Sequence, residues 1–335
     1  MTGQPDLIQH VDAKSVRLML ARELPNLEVN SVRVLGGGRD IRYRALNAEG
    51  HLYDLRRWDS PWLIDVDDRF ILKIPTSSGA VAQLARARWA LSYLVGRTSV
   101  PVPELAFSGH HQAFDGYHKL PGHELPVHRL LALPRRHQRE IAIAIGRFVA
   151  EMHRLVPVGE ALAKGFTNPK SAMPSDQLRQ RASRLLDRPE DRNFVSFLAD
   201  AFARAEQENW PQVVIHDDLH GGNMLWDPER ERVSAVLDFE SVAVGDPHID
   251  FGWWSLFNDE LLECAASAYV EAGGRLSIER CWLYGAVCDL SDAIWRTERG
   301  YTVDDGSIAA RVNRIWRNVD GRGWLADAGV EHPSK

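Results

Sequence analysis

The stretch VVIHDDLHGGNMLWDPERERVSAVLDFESVAVGDPHID, residues 213 to 250, decides how this chain is read. Val213 to Ile215 make a short apolar run, suited to a strand, that delivers His216, Asp217 and Asp218 into a loop. Asn223 follows Asp218 by five positions. Met224 to Trp226 read as a second strand, DPERER as a turn, and Val233 to Leu237 as a returning strand that ends on Asp238. Adjacent strand ends are thereby expected to bring together one carboxylate, one amide oxygen and a second carboxylate. Asp218 is suited to accept the proton of an incoming hydroxyl, while Asn223 and Asp238 offer the hard oxygen ligands that magnesium takes beside phosphate oxygens. The set suits phosphoryl transfer. A hydrolase metal cluster built from His216, Asp217, Asp218 and His220 is the competing reading, since all these types bind metals. It gives Asn223 and Asp238 no role.

The chain on either side differs in character. Val11 to Leu24 carry apolar side chains among charges and read as a leading helix with Asp12 as its cap. Trp62 to Val66 and Phe70 to Ile74 are the strands of a hairpin turning through Asp67 and Asp68, and Ser78 to Val95 has helical patterning. A strand is expected to end near GYHKLPG, and beyond Pro121 long helices take over: Pro134 to Leu155, Ser175 to Leu186, Arg192 to Glu206, Asn258 to Ala272, Ile278 to Arg299 and Ser307 to Asn318. This places a boundary near Leu120, between a small β-rich part, residues 1–120, and a larger helical part, residues 121–335.

HDDLHGGNML, followed by VLDFE and GDPHID, resembles the catalytic core of the aminoglycoside phosphotransferase family, small-molecule kinases related to choline kinase and macrolide phosphotransferase. The resemblance implies an α+β, protein-kinase-like bilobal fold with the nucleotide between the lobes. In the family's pattern His216, Asp218 and Asn223 fall in the catalytic loop, with Asp218 as base and Asn223 as a metal ligand; His216 joins Asp218 in the catalytic set, as a loop-bracing residue ahead of a second general base. Asp238 takes the second metal-binding place, and Asp250 in GDPHID braces the catalytic loop from beneath. FILKIP resembles the strand carrying a phosphate-contacting lysine, which makes Lys73 that residue. WDSPWLIDV resembles the hairpin that covers the nucleotide, so Asp59 and Ser60 are expected near the phosphates, and GYHKLPG resembles the linker whose backbone at His118, Lys119 and Leu120 holds the base. Two departures stand out. Arg57 occupies the place of a usual glycine, which leaves Gly36 to Gly38 as a second candidate for the covering loop. The family also pairs its strand lysine with a glutamate on the next helix, yet no Asp or Glu occurs from Arg69 through Pro103. A nucleotide-binding pseudokinase is therefore a third reading.

Composition fits this picture. A length of 335 residues suits two lobes, and a net charge of −6 gives no broad cationic field for nucleic acid or an anionic membrane, so small-molecule partners are expected. The start shows no basic cap followed by an apolar run, which points to the cytoplasm. The three cysteines, Cys264, Cys281 and Cys288, lack zinc-site spacing and read as reduced core residues. Asp289 and Asp292 lie three apart on one helix with Trp282 and Trp295, a pattern that suits either a wall for a cationic acceptor or a solvated helix face. The sequence thus predicts a kinase that moves the γ-phosphoryl group of ATP or GTP, with Mg2+, to a hydroxyl of a small acceptor such as an aminoglycoside-like antibiotic. Macrolide or amino-alcohol acceptors are alternatives.

Overall fold

The structure of the chain, a computed structural model, describes residues 11–36, 44–46, 52–54, 61–167, 169–299 and 307–320. Two compact units emerge: residues 1–132 with 221–242, and residues 133–220 with 243–335.

The first unit is built on an antiparallel five-stranded sheet in the order 32–36, 62–66, 70–74, 115–118, 105–108. The hairpin Trp62–Val66 and Phe70–Ile74 turns through Asp67 and Asp68, both in the left-handed region with φ 56° and 55°. Short polar side chains tolerate that conformation best among residues with a Cβ. Period-2 alternation sends Ile64, Leu72 and Ile74 into a core shared with Leu20 and Met19 of the leading helix Ala13–Glu23. That helix opens with a capping box, in which Asp12 accepts from the Ser15 N–H and the Ser15 side chain accepts from the Asp12 N–H. Helix Ser78–Leu94 is capped by Ser77. A second small sheet joins Met224–Asp227 to Arg232–Val236 and to His123–Glu124.

The second unit is helical around one β pair, Val213–Ile215 with Ala243–Gly245. Its helices include Arg135–Leu155, Ser175–Leu185, Pro189–Gln207, Asp259–Glu271, Ile278–Glu298 and Ile308–Asp320. Pro189 begins its helix three residues earlier than the apolar period suggests, because proline is preorganised for the first turn. Arg135–Leu155 and Asp259–Glu271 pack so closely that a Cβ on Gly146 would lie 2.0 Å from the Ala265 carbonyl oxygen. Among the described residues no helix is long and apolar enough to cross a membrane.

Candidate functional site

In the first unit the site begins at Lys73. Leu72 and Ile74 are fully buried on one face of the sheet, so alternation turns Lys73 to the other face. Its Nζ lies 2.9 Å from Oδ1 of Asp238 and 2.5 Å from Oε1 of Glu240. Burial alone would lower the ammonium's pKa, but the charges of Asp238 and Glu240 outweigh it and raise the pKa, so Lys73 stays charged. The missing acid of the sequence pattern is thereby located. It comes from the segment after the second strand end and not from the helix that follows Lys73.

Asn223 closes the turn Gly221–Asn223, and its carbonyl accepts the Leu237 N–H at 2.8 Å, which sets Asn223 beside the residue preceding Asp238. Asp238 is left-handed, φ 69° and ψ 59°, a conformation that costs a non-glycine residue roughly 1–3 kcal/mol and tends to survive where function requires it. Its side chain is 43% exposed. Among the described residues no three His, Cys, Asp or Glu side chains form a closed metal cage. Magnesium held with a nucleotide needs none, since it uses one or two protein oxygens and fills its octahedron with phosphate oxygens and water. The amide of Asn223 and the solvent-facing carboxylate of Asp238 fit that requirement.

The expected base-holding segment is only partly available. The His118 N–H donates to the Glu104 carbonyl and the Lys119 N–H to the Arg69 carbonyl, so neither can donate to a base. The Lys119 ammonium pairs with Asp65 at 2.7 Å and with Asp68, which takes its charge away from any nucleotide. Leu120 follows as the segment leaves the sheet. Asp59, Ser60, Gly37 and Gly38 lie outside the described residues.

In the second unit the strand Val213–Ile215 runs into His216, Asp217 and Asp218, and one carboxylate organises the turn. Asp250 accepts the N–H of His216 at 2.9 Å and of Asp217 at 3.0 Å. It sits in the turn Pro247–Phe251, whose first residue is preceded by the capping Asp246. His153, from helix Arg135–Leu155, reaches Asp250 with Nε2 at 3.1 Å and Tyr269 with Nδ1 at 3.0 Å. His216 is fully buried, which fits a residue that braces the loop better than a general base open to a substrate. Asp217 is left-handed, φ 61°, and its carboxylate accepts from the Lys170 N–H at 2.5 Å, the Ser171 N–H at 3.2 Å and the Ser171 hydroxyl. Burial pushes the Asp217 carboxyl up to about 6 against the pull of these donors, and the Asp250 charge adds to the rise. Asp218 alone of the three turns outward: its side chain is 42% exposed, with His220 Nε2 3.5 Å away.

The acids expected to hold a cationic acceptor are otherwise engaged. Asp289 is buried against Arg311 and 3.0 Å from Arg314, and Asp292 lies 2.7 Å from Arg296. Arginines from the same and the next helix neutralise them, which the helical spacing of Asp289 and Asp292 could not reveal. Sequence reasoning also passed over the roles of Glu240 and His153, and read Asp217 only as a possible metal ligand. A weak signal existed for His153, a histidine on the mainly apolar face of helix Arg135–Leu155.

Comparisons with known proteins bear on the family and the fold. The sequence model of the phosphotransferase enzyme family matches residues 58–287. Curated proteins give no match. Among solved structures, the GDP complex of aminoglycoside 2'-phosphotransferase-IIIa superposes with a TM-score of 0.72 at 17% identity, covering 93% of this chain and 100% of that one. The macrolide 2'-phosphotransferase of Brachybacterium faecium gives 0.62 at 21% identity, covering 90% and 98%. An ADP-bound aminoglycoside phosphotransferase gives 0.61 at 16%, covering 92% and 98%. At such identities the structural likeness speaks for the fold, which is the kinase-like α+β fold expected from the sequence, whereas the family match extends over more than half of the chain. This chain belongs to the phosphotransferase enzyme family.

Proposed function

We propose that this enzyme transfers the γ-phosphoryl group of ATP or GTP to a hydroxyl of a small, hydroxyl-rich molecule of the aminoglycoside class, with Asp218 as the base. The observation that carries the reading is the state of Asp218: a half-exposed carboxylate on a loop whose two preceding N–H groups are clamped by the buried Asp250. A carboxylate so positioned is ready to take the acceptor's proton without reorganising, which is where general-base catalysis gains its rate. Asn223 and Asp238 would hold magnesium, which when bound neutralises charge on the phosphates. Lys73 adds a fixed positive charge for the phosphate oxygens, and the backbone near Leu120 is the remaining candidate for holding the base. The acceptor class rests on similarity to proteins described in complexes with kanamycin, gentamicin and streptomycin. Macrolide phosphotransferases of comparable likeness make macrolides the alternative acceptor. The test is a screen of the purified protein for ATP and GTP consumption against aminoglycosides, macrolides and amino-alcohol metabolites. Acceptor-dependent turnover with an aminoglycoside is the expected result. Nucleotide binding without turnover on any acceptor would turn the reading toward a pseudokinase.

A further inference from the structure

We propose that Glu240 is the carboxylate that orients Lys73 toward the nucleotide phosphates, a positioning residue supplied by the segment after Asp238 where helix Ser78–Leu94 carries no acid. The inference rests on the reading of Lys73 as a phosphate-contacting residue.

The helix after Lys73 cannot provide the partner, because the chain has no Asp or Glu from Arg69 through Pro103. What the helix does provide is cationic. Arg86 donates to the Val242 carbonyl at 3.2 Å, and Arg88 donates to Asp115 at 2.7 Å. The charges across this contact are thus reversed: the helix supplies a cation that ties down the residues following Asp238, and those residues supply the acid. Glu240 sits in the turn Phe239–Ser241, between the buried Phe239 and Val242, and the Val242 N–H closes the turn on the Phe239 carbonyl at 3.3 Å. Helix Ser78–Leu94 packs directly on this turn.

Two carboxylates touch Lys73, and their exposures separate their roles. The Asp238 side chain is 43% exposed and can turn toward another ligand, whereas the Glu240 side chain is 11% exposed and confined. A lysine has a flexible four-carbon stem and three rotatable donors, so an ammonium on a single mobile acid would be poorly placed for phosphate. Glu240 gives it a confined hydrogen-bond partner that stays when Asp238 is occupied elsewhere. The remaining oxygen, Oε2 of Glu240, is buried without a hydrogen-bond partner. An unpaired buried acceptor opposes folding, so folding alone gives no reason to keep it.

The experiment is a double-mutant cycle on Glu240→Gln and Lys73→Ala, reading ATP and GTP affinity with magnesium and in EDTA, together with steady-state kinetics. Glu240→Gln is expected to weaken nucleotide binding about tenfold in both conditions and to raise the nucleotide KM, with the acceptor KM unchanged. The double variant is expected to bind no worse than Lys73→Ala, because two residues acting through one contact are not additive. Losses that multiply in the double variant, or a Glu240→Gln defect confined to magnesium, would overturn the inference and make Glu240 an independent ligand. If Lys73→Ala is damaging and Glu240→Gln is not, the inference alone falls. If Lys73→Ala itself is silent, the reading of Lys73 falls and takes the inference with it. Should Glu240→Gln not fold, Glu240→Asp keeps the charge but shortens its reach. That variant is expected to lose nucleotide affinity, and unchanged affinity would count against orientation.

Discussion

Nε2 of His153 lies 3.1 Å from Oδ2 of Asp250, and the same carboxylate receives the backbone N–H groups of His216 and Asp217. A helix, a turn and the loop bearing Asp218 are therefore joined through one buried carboxylate. Asp250→Asn replaces one acceptor oxygen by a donor that must face another donor. It is expected to lower stability by about 1–3 kcal/mol and kcat at least about tenfold, with nucleotide affinity unchanged. Denaturant melts and calorimetric nucleotide titration check the two halves of this expectation. Unaltered turnover in a folded variant would remove Asp250 from any part in placing Asp218.

Asp218→Asn is expected to fold and to bind nucleotide like the wild type while losing roughly 10² to 10⁴ of the phosphorylation rate, the usual worth of a positioned proton acceptor. Asparagine keeps the size and one oxygen of this half-exposed side chain, so the fold is expected to tolerate it. Wild-type turnover would show that the base lies elsewhere.

Asp238→Ala is expected to abolish the magnesium dependence of nucleotide binding, seen by calorimetry with and without the ion. The neighbouring amide of Asn223 cannot supply the missing negative charge. An undiminished magnesium effect would count against Asp238 as a ligand.

Asp217 gives a pH signature. Its carboxyl is pushed up from 3.8 to about 6 by burial, so ionisation is harder in the folded chain than in the unfolded one. The stability it contributes is therefore full below about pH 4 and is lost as pH rises through about 6. At about 1.4 kcal/mol per pKa unit the total is roughly 3 kcal/mol. Asp217→Asn should remove this component, so that the stability difference between wild type and variant falls by that order from pH 4 to pH 7. Parallel profiles would show that the carboxyl titrates normally.

Asp289→Asn strips the buried Arg311 of its closest carboxylate and is expected to cost about 3–5 kcal/mol in unfolding free energy. Asp292→Asn, at a half-exposed site paired mainly with Arg296, should cost less than about 1 kcal/mol. Neither should move the acceptor KM. A tenfold rise in that KM from a stably folded Asp289→Asn variant would restore these acids to the acceptor pocket.

Local rules within the sequence determined where the strands and long helices lie. The alternation of FILKI, the turn through Asp67 and Asp68, the run into His216 and the return to Asp238 are each fixed by neighbours in the chain, and the structure keeps them. Short pieces such as Val127–Ala132 and Val158–Ala163 were not legible, because one or two turns carry too little periodicity. What only the tertiary structure decided are the partners of charged groups. Lys73 meets Glu240 across 167 positions, Asp289 meets Arg311 across 22, and Asp217 holds Ser171 across 46. No pattern of neighbours encodes such pairs. They follow from how strands and helices pack, since a charge can be buried only where packing also delivers its counterpart.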